Sequence, residues 1–273
     1  GVERSGAAAR VSLADGDVLT APLLVAADGG RSALRAEAGI GVVEHDYRQV
    51  GLVTTIAHEL DHGNIAWQHF RPGGPFACLP LTAPDGTGTL SSLVWTETAD
   101  EARRLMALPP DALRVAIEAA MGSQLGAVRA ADPLQGFPLA LRIAREMVAE
   151  RLALVGDAAH VVHPIAGQGL NLGLADAAAL VEVVADALRL GLDPGASGVL
   201  ERYQSWRRFD IAGMAAATDQ LNRLFSNDSA TLRALRDLGL GLVDRAAPLK
   251  SALVRRAAGM SRGQPKLMRG LAV

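Results

Sequence analysis

The chain has 273 residues, with 27 Lys and Arg against 29 Asp and Glu, a formal charge of −2, and 49% apolar residues. This composition excludes a disordered chain, and the near-balance of charge argues against nucleic acid as the main partner. A lone cysteine, Cys78, leaves no intrachain disulfide and points to a reduced, cytoplasmic compartment, while the lack of any run of about 18 apolar residues or of a signal peptide predicts no transmembrane helix and no leader.

Residues 8–27 alternate around the turn Ala14-Asp15-Gly16-Asp17, with Val11, Leu13 and Val18 on its flanks, which predicts a hairpin. The run Leu23-Leu24-Val25-Ala26-Ala27 is short and continuously apolar, as in a strand buried on both faces. It ends in Asp28-Gly29-Gly30-Arg31-Ser32, and a helix over 33–38 stops at Gly39. Strands are predicted over 50–56, 65–70, 76–81 and 89–96. They are separated by Gly63, Pro72-Gly73-Gly74-Pro75 and Pro84-Asp85-Gly86, the spacing of antiparallel hairpins. Helices follow over 100–107 and 111–121, the second with Pro110 near its start, and 139–148 returns to strand-like sequence.

Residues 152–155 read as another short buried strand, running straight into Gly156-Asp157. A long loop then reaches Gly169 and a helix. Leu170, Leu174, Ala177, Val181, Val184 and Leu188 step by three or four along one apolar face, with Asp176, Glu182 and Asp186 off it. Gly191 and Pro194 end this helix, and 198–225 and 229–243 are helical by period.

Two constellations could carry chemistry. The first is Gly156-Asp157-Ala158-Ala159-His160, then His163-Pro164-Ile165-Ala166-Gly167-Gln168-Gly169-Leu170-Asn171-Leu172-Gly173, with Asp176 beyond. A buried strand delivers Asp157 at its carboxyl end, where open α/β sheets bind ligands, and an acceptor there suits a sugar or ribityl hydroxyl. Glycines let backbone approach a flat ligand, and a helix starting near Gly169 aims N–H groups and its positive dipole end at it. The alternative is a tight strand–helix connection with glycine for packing. The second constellation is Asp28-Gly29-Gly30-Arg31-Ser32 with Arg35. Its Asp can cap a helix and hold a ribose hydroxyl, and Arg31 and Arg35 can hold a pyrophosphate. A plain turn with a solvated Arg is the alternative.

Together these stretches resemble the flavin-dependent aromatic hydroxylases of the p-hydroxybenzoate hydroxylase class. Residues 26–35 look like the second dinucleotide motif of that class, and 152–176 like the third, which wraps the riboflavin half of FAD. The run from His163 to Asn171, with Gly173 and Asp176, is similar to the signature of the ubiquinone-biosynthesis hydroxylases. Residues 67–81 and 218–226 also resemble that subgroup, the latter its 2-polyprenyl-6-methoxyphenol hydroxylase type.

The resemblance implies an α/β fold, α+β in this chain, in four segments. These are a remnant of an FAD-binding domain over 1–40, an antiparallel-sheet substrate domain with helices over 41–148, more of the FAD-binding domain over 149–195, and C-terminal helices with a basic tail over 196–273. It implies that Asp157 binds the ribityl chain of FAD, with Gly156 also a cofactor-binding candidate, and that Pro164 lines the flavin face where oxygen reacts. The backbone around Gly169, Leu170 and Asn171 would contact the pyrimidine edge of the isoalloxazine, with Gly167 and Gln168 also cofactor-binding candidates. Asp28 and Gly29 would act in FAD and NAD(P)H binding, with Arg31 and Arg35 near the phosphates. The implied reaction is hydroxylation of a polyprenylated phenol in ubiquinone biosynthesis, with NAD(P)H reducing FAD and O2 reacting at the flavin. Pro164 and His163 are the candidate catalytic residues, and His163 equally suits a loop-shaping role.

The chain departs from the class in one respect. The Gly-x-Gly-x-x-Gly hexad that cradles the ADP pyrophosphate does not occur in the 273 residues, and only 27 residues precede Asp28. The expectation is a C-terminal part of a longer enzyme, lacking the N-terminal βαβ unit. Two other readings stand beside it: the same fold acting on a soluble aromatic acid, and a non-catalytic scaffold that holds no flavin.

His58-Glu59-Leu60-Asp61-His62 fits the zinc-protease pattern, which works only on a helix. Thr54-Thr55-Ile56 leads into it as a strand and Gly63 follows at once, so no metal site is expected. From Arg245 to Val273 there are seven cations and no acid, interspersed with Leu and Met. Such a tail suits peripheral contact with an anionic inner-membrane surface or partners in a ubiquinone-biosynthesis complex; the alternative is a solvated basic face.

Overall fold

The computed structural model describes residues 1–130, 132–225, 248, 251 and 263–273. In chain order the first elements are β1 (Val2–Ser5), β2 (Ala8–Ser12), β3 (Val18–Ala21), β4 (Leu24–Ala26) and α1 (Ala33–Glu37). Then come β5 (Val42–His58), β6 (Trp67–Arg71), β7 (Gly74–Leu81), β8 (Leu90–Thr98), α2 (Ala99–Met106), α3 (Pro110–Met121), β9 (Val128–Ala130) and β10 (Gln135–Ala144). The last are β11 (Val148–Ala149), β12 (Leu152–Leu154), β13 (His160–Val161), α4 (Gly169–Arg189) and α5 (Ser197–Phe225). Short 3₁₀ turns lie at Gly156–Ala158, Pro164–Ala166 and Leu267–Arg269. The predicted helix over 229–243 and most of the basic tail lie outside the described residues. No described helix is long and apolar enough to cross a membrane.

The chain forms two compact units that alternate along it. The first holds Gly1–His45, Leu141–Asp219 and the described C-terminal residues. The second holds Asp46–Ala140 and α5 from Gln220 onward.

In the first unit β1, β2 and β3 form an antiparallel meander. The predicted hairpin closes through Leu13 N–H to the Asp17 carbonyl at 2.8 Å, with Gly16 in the left-handed region at φ 96°. The pattern of 8–27 did not disclose β1, which pairs Val2 with Val11. A second small sheet has the order β11-β12-β4. In it β4 and β12 run parallel, with Leu24 opposite Leu152 and Ala26 opposite Leu154. All three residues of β12 are buried, but Val25 of β4 is exposed, so β4 is buried on one face only.

Helix α4 overturns the simplest reading of its period. Leu170, Leu174, Ala177, Val181 and Leu188, on the stripe of large apolar residues, are exposed. The packed face is Leu172, Ala175, Ala178, Ala179, Leu180, Val183 and Ala187, and it includes Asp176. Ala179, Leu180, Val183 and Ala187 meet Leu152, Leu154, Leu200, Tyr203 and Ile211 in one core, and Leu172 packs with Val162 and Ala215. Alanine lets helix and strand approach closely, so the side carrying less bulk is the side that packs.

In the second unit the strands run β10-β5-β8-β7-β6, with β9 also on β5. The register puts Leu52 opposite Trp95, and Phe76 opposite Trp95 on the other side. Leu52, Ile56, Leu93 and Trp95 alternate inward against Leu105, Leu113 and Ile117 of α2 and α3. Burying each such side chain contributes about 1.5–3 kcal/mol. The Phe76 and Trp95 rings meet edge-on, their centroids 5.3 Å apart. Thr98 caps α2 by accepting from Glu101 N–H, and Pro110 opens α3.

The zinc-like pattern sits at the end of β5, not on a helix. His58 bonds the Leu60 carbonyl and the Ser91 hydroxyl, and His62 bonds the Leu81 carbonyl and Asn64 N–H. Among the described residues no cluster of three His, Cys, Asp or Glu could hold a metal.

Cys78 lies on β7 in this core, and burial pushes its thiol up to about 11. A thiol reagent is expected to label Cys78 slowly in the native chain and fully in denaturant. Rapid native labelling would contradict the packing described.

Candidate functional site

Because β4 and β12 run parallel, the turns after them emerge at the same end of the sheet. Asp28 and Gly156 each stand two residues past the paired Ala26 and Leu154.

After β4, Ser32 caps α1, its hydroxyl accepting from Arg35 N–H at 3.0 Å. Asp28 accepts from Leu34 N–H at 3.1 Å. Partial burial works to raise the Asp28 pKa. Hydrogen bonds from the Ser32 hydroxyl and nearby N–H groups outweigh it and hold the carboxyl below its ordinary value. Gly29 has φ 85°, which favours glycine, and a Cβ on Gly30 would stand 2.9 Å from Val161 Cγ2, so a side chain there would make Val161 shift. Arg31 is exposed. Arg35, expected near a phosphate, is instead buried and turned inward. Its guanidinium donates to the Ala158 carbonyl at 2.8 Å and the Gly30 carbonyl at 3.1 Å. It ties the two turns together, because a buried guanidinium must spend its donors on carbonyls.

After β12, Gly156 adopts φ 60° and Asp157 is exposed, with no partner among the described residues. The predicted long loop is in fact structured. His160 and Val161 pair with Ile143 and Arg142 of β10, and a 3₁₀ turn follows. His163 caps that turn from a fully buried position, its Nδ1 accepting from Ile165 N–H at 3.1 Å. Burial lowers the His163 pKa to about 4, with the Asp219 carboxylate opposing the shift. Pro164 is exposed, and Gly167 closes the turn at φ 61°.

Helix α4 then begins at Gly169 with no side-chain cap. Its ladder starts with Leu172 N–H to the Gln168 carbonyl at 3.0 Å, which leaves the N–H groups of Gly169, Leu170 and Asn171 without intrahelical acceptors. A Cβ on Gly169 would meet nothing within 4 Å, so open space adjoins these donors. Leu170 and Asn171 are exposed, and Gln168 accepts from the Asn171 amide at 3.4 Å. The structure thus presents Asp157, Pro164, Gly167 and the first turn of α4 on the exposed side of one loop.

Comparison with known proteins settles the family. The family described as FAD binding domain matches residues 3–218. This chain belongs to it. Ubiquinone hydroxylase UbiL of Rhodospirillum rubrum is 47% identical over 95% of this chain and 60% of its own. The 3-demethoxyubiquinol 3-hydroxylase of Escherichia coli is 39% identical over 92% of this chain and 62% of its own. The chain therefore spans about three-fifths of the length of these relatives. Among solved structures, p-nitrophenol 4-monooxygenase PnpA from Pseudomonas putida DLL-E4 superposes with a TM-score of 0.77 at 21% identity, covering 96% of this chain and 66% of that one. Pseudomonas aeruginosa PqsL in complex with 2-aminobenzoylacetate gives 0.67 at 28% identity, covering 83% and 62%. The fold is that of the p-hydroxybenzoate hydroxylase class.

FAD suits the residues present. The unengaged Asp157 carboxylate, the open space at Gly169 and the three free N–H groups offer an acceptor, room and an electropositive edge. Sequence reasoning located these residues but missed Tyr203 and Arg207 behind them and the buried, inward roles of His160 and Asp176. The Tyr203-to-Arg207 spacing of four, one helix face, is the signal that could have found the α5 pair.

The buried His163 ring carries a pH prediction. Between its ordinary value of 6.5 and about 4, the unfolded chain binds a proton that the folded chain refuses. The His163 contribution to stability is therefore complete above 6.5 and is lost as pH falls toward 4. Urea unfolding across that range is expected to show a wild-type decline that His163→Asn partly removes. A wild-type-to-variant difference independent of pH would contradict it.

Proposed function

We propose that this chain binds FAD along the Gly156–Asn171 loop. In this reading it serves an NAD(P)H-dependent monooxygenase that hydroxylates the ring of a polyprenylated phenol in ubiquinone biosynthesis. The observation that carries the flavin reading is the uncapped first turn of α4, open to solvent on the same loop as the unengaged Asp157. The similarity to UbiL and to the 3-demethoxyubiquinol 3-hydroxylase supports the substrate class.

When bound, FAD supplies the redox chemistry, taking reducing equivalents from NAD(P)H and delivering them to O2. The chain's residues do the rest. Asp157 accepts a hydrogen bond from the ribityl chain. The N–H groups of Gly169, Leu170 and Asn171, with the positive end of α4, stabilise negative charge at the pyrimidine edge of the ring. Pro164 presents a rigid surface without an N–H, which keeps a competing donor from the ring face. Gly167 and Gln168 bring backbone close to the flat ligand. His163, neutral well below pH 7, shapes the loop through its bond from Ile165 N–H. Asp28 and Gly29 serve the nucleotide with Arg31, and Arg35 holds their turn against the Gly-Asp turn.

Flavin titration, followed by fluorescence quenching, tests the reading. The chain is expected to bind FAD, and Asp157→Ala to weaken binding about tenfold, the loss expected for one hydrogen bond to a charged group. Absence of FAD binding, or unchanged affinity in Asp157→Ala, would contradict it.

A further inference from the structure

Behind the exposed loop lies a polar cluster inside the first unit. Asp176 and Tyr203 are 0% exposed, Arg207 1% and His160 2%. Asp176 Oδ2 accepts from Gly156 N–H at 3.0 Å and from His160 Nε2 at 2.6 Å. Its other oxygen, Oδ1, accepts from Arg207 Nε at 2.7 Å, and Arg207 Nη1 bonds Asp210 at 2.8 Å. Tyr203, one helical turn before Arg207, donates to the Leu154 carbonyl at 2.7 Å.

The arrangement has a specific shape. One carboxylate oxygen gathers both ends of the five-residue segment that carries Asp157, from Gly156 to His160. The carboxylate reaches them because α4 approaches the turn backbone to backbone. A Cβ on Gly173 would stand 3.2 Å from the Gly156 Cα, and Asp176 follows Gly173 by one turn on that face. Through Arg207 and Tyr203, α5 fixes the carboxylate and the end of β12.

Stability alone does not account for this cluster. A buried ion pair is often no more stabilising than an apolar pair of similar volume. Among the described residues His160 Nδ1 and Arg207 Nη2 also stay buried with no hydrogen-bond partner, a further cost. An apolar contact would hold α4 against α5 equally well. It could not accept two N–H groups from a loop.

We infer that Asp176 and Arg207 are positioning residues that hold the Gly156–His160 segment, and with it Asp157, in the geometry that receives the ribityl chain. The inference makes α5 part of the flavin site, and it rests on the reading that this loop holds flavin.

Two readouts on the full chain keep the inference and that reading separable. The first is amide hydrogen exchange without flavin. Asp176→Asn and Arg207→Met are expected to raise exchange at Gly156 and His160 about tenfold or more, with far-UV circular dichroism unchanged. If either variant fails to fold, Arg207→Lys replaces it; Lys keeps the charge, lacks the planar fork, and is expected to restore protection only in part. The second is FAD affinity and the visible circular dichroism of bound flavin, both expected to change in these variants and not in Asp186→Asn, whose ion pairs are on the surface. Unchanged exchange at Gly156 would overturn the inference. So would raised exchange with unaltered flavin affinity and spectrum. A wild-type chain that binds no flavin would fail the proposed function instead, and the exchange result would then decide whether Asp176 and Arg207 hold the segment at all.

Discussion

The candidate site depends on one pairing, the parallel contact of β4 with β12. Three residues on each side set it, and the register of Ala26 against Leu154 brings the Asp-Gly and Gly-Asp turns out at one sheet end. Parallel strands cannot be joined by a tight hairpin, and residues 46–140 of the second unit lie between these two in the chain. The turns are distant in sequence and meet only because the strands pair. Arg35 then joins them through the Gly30 and Ala158 carbonyls, so a residue that reads as a phosphate ligand becomes a brace.

A second constraint is the close approach of α4 to the turn after β12. A Cβ on Gly173 would stand 3.2 Å from the Gly156 Cα, and Ala175, Ala178, Ala179 and Ala187 keep much of the packed helix face low in bulk. The same approach seats Asp176 under the turn and leaves the uncapped end of α4 facing outward. Buried polar groups set the geometry, and exposed polar groups face outward, where the proposed flavin would lie. His163, lowered by burial, belongs with the first set, and Asp157 with the second.

Much of this was legible in the chain because short strands, glycine turns and helix starts leave local signals. The order of strands and helices from residue 8 to 121 follows from apolar alternation and Gly-Pro punctuation. The loop from Gly156 to Asn171 stands out for its glycines and its Asp. Three features were not legible, each for a physical reason. β1 and β9 are too short for a period to register, and β9 is held by long-range pairing with β5 and by packing against α3. The exposed face of α4 carries the larger apolar residues, so periodicity favoured the side that does not pack. The cluster of Asp176, His160, Tyr203 and Arg207 brings together residues that look separately like ordinary helix and loop polar groups. Only the packing of α5 against β12 and α4 makes them one network.

The exposed side of the Gly156–Asn171 loop is proposed here as a flavin-ring site. A crystal structure of this chain soaked with FAD tests it most directly. The claim predicts flavin density along Asp157 and Pro164, with the ring edge against the N–H groups of Gly169, Leu170 and Asn171. Flavin bound elsewhere, with the first turn of α4 still open to solvent, would contradict it.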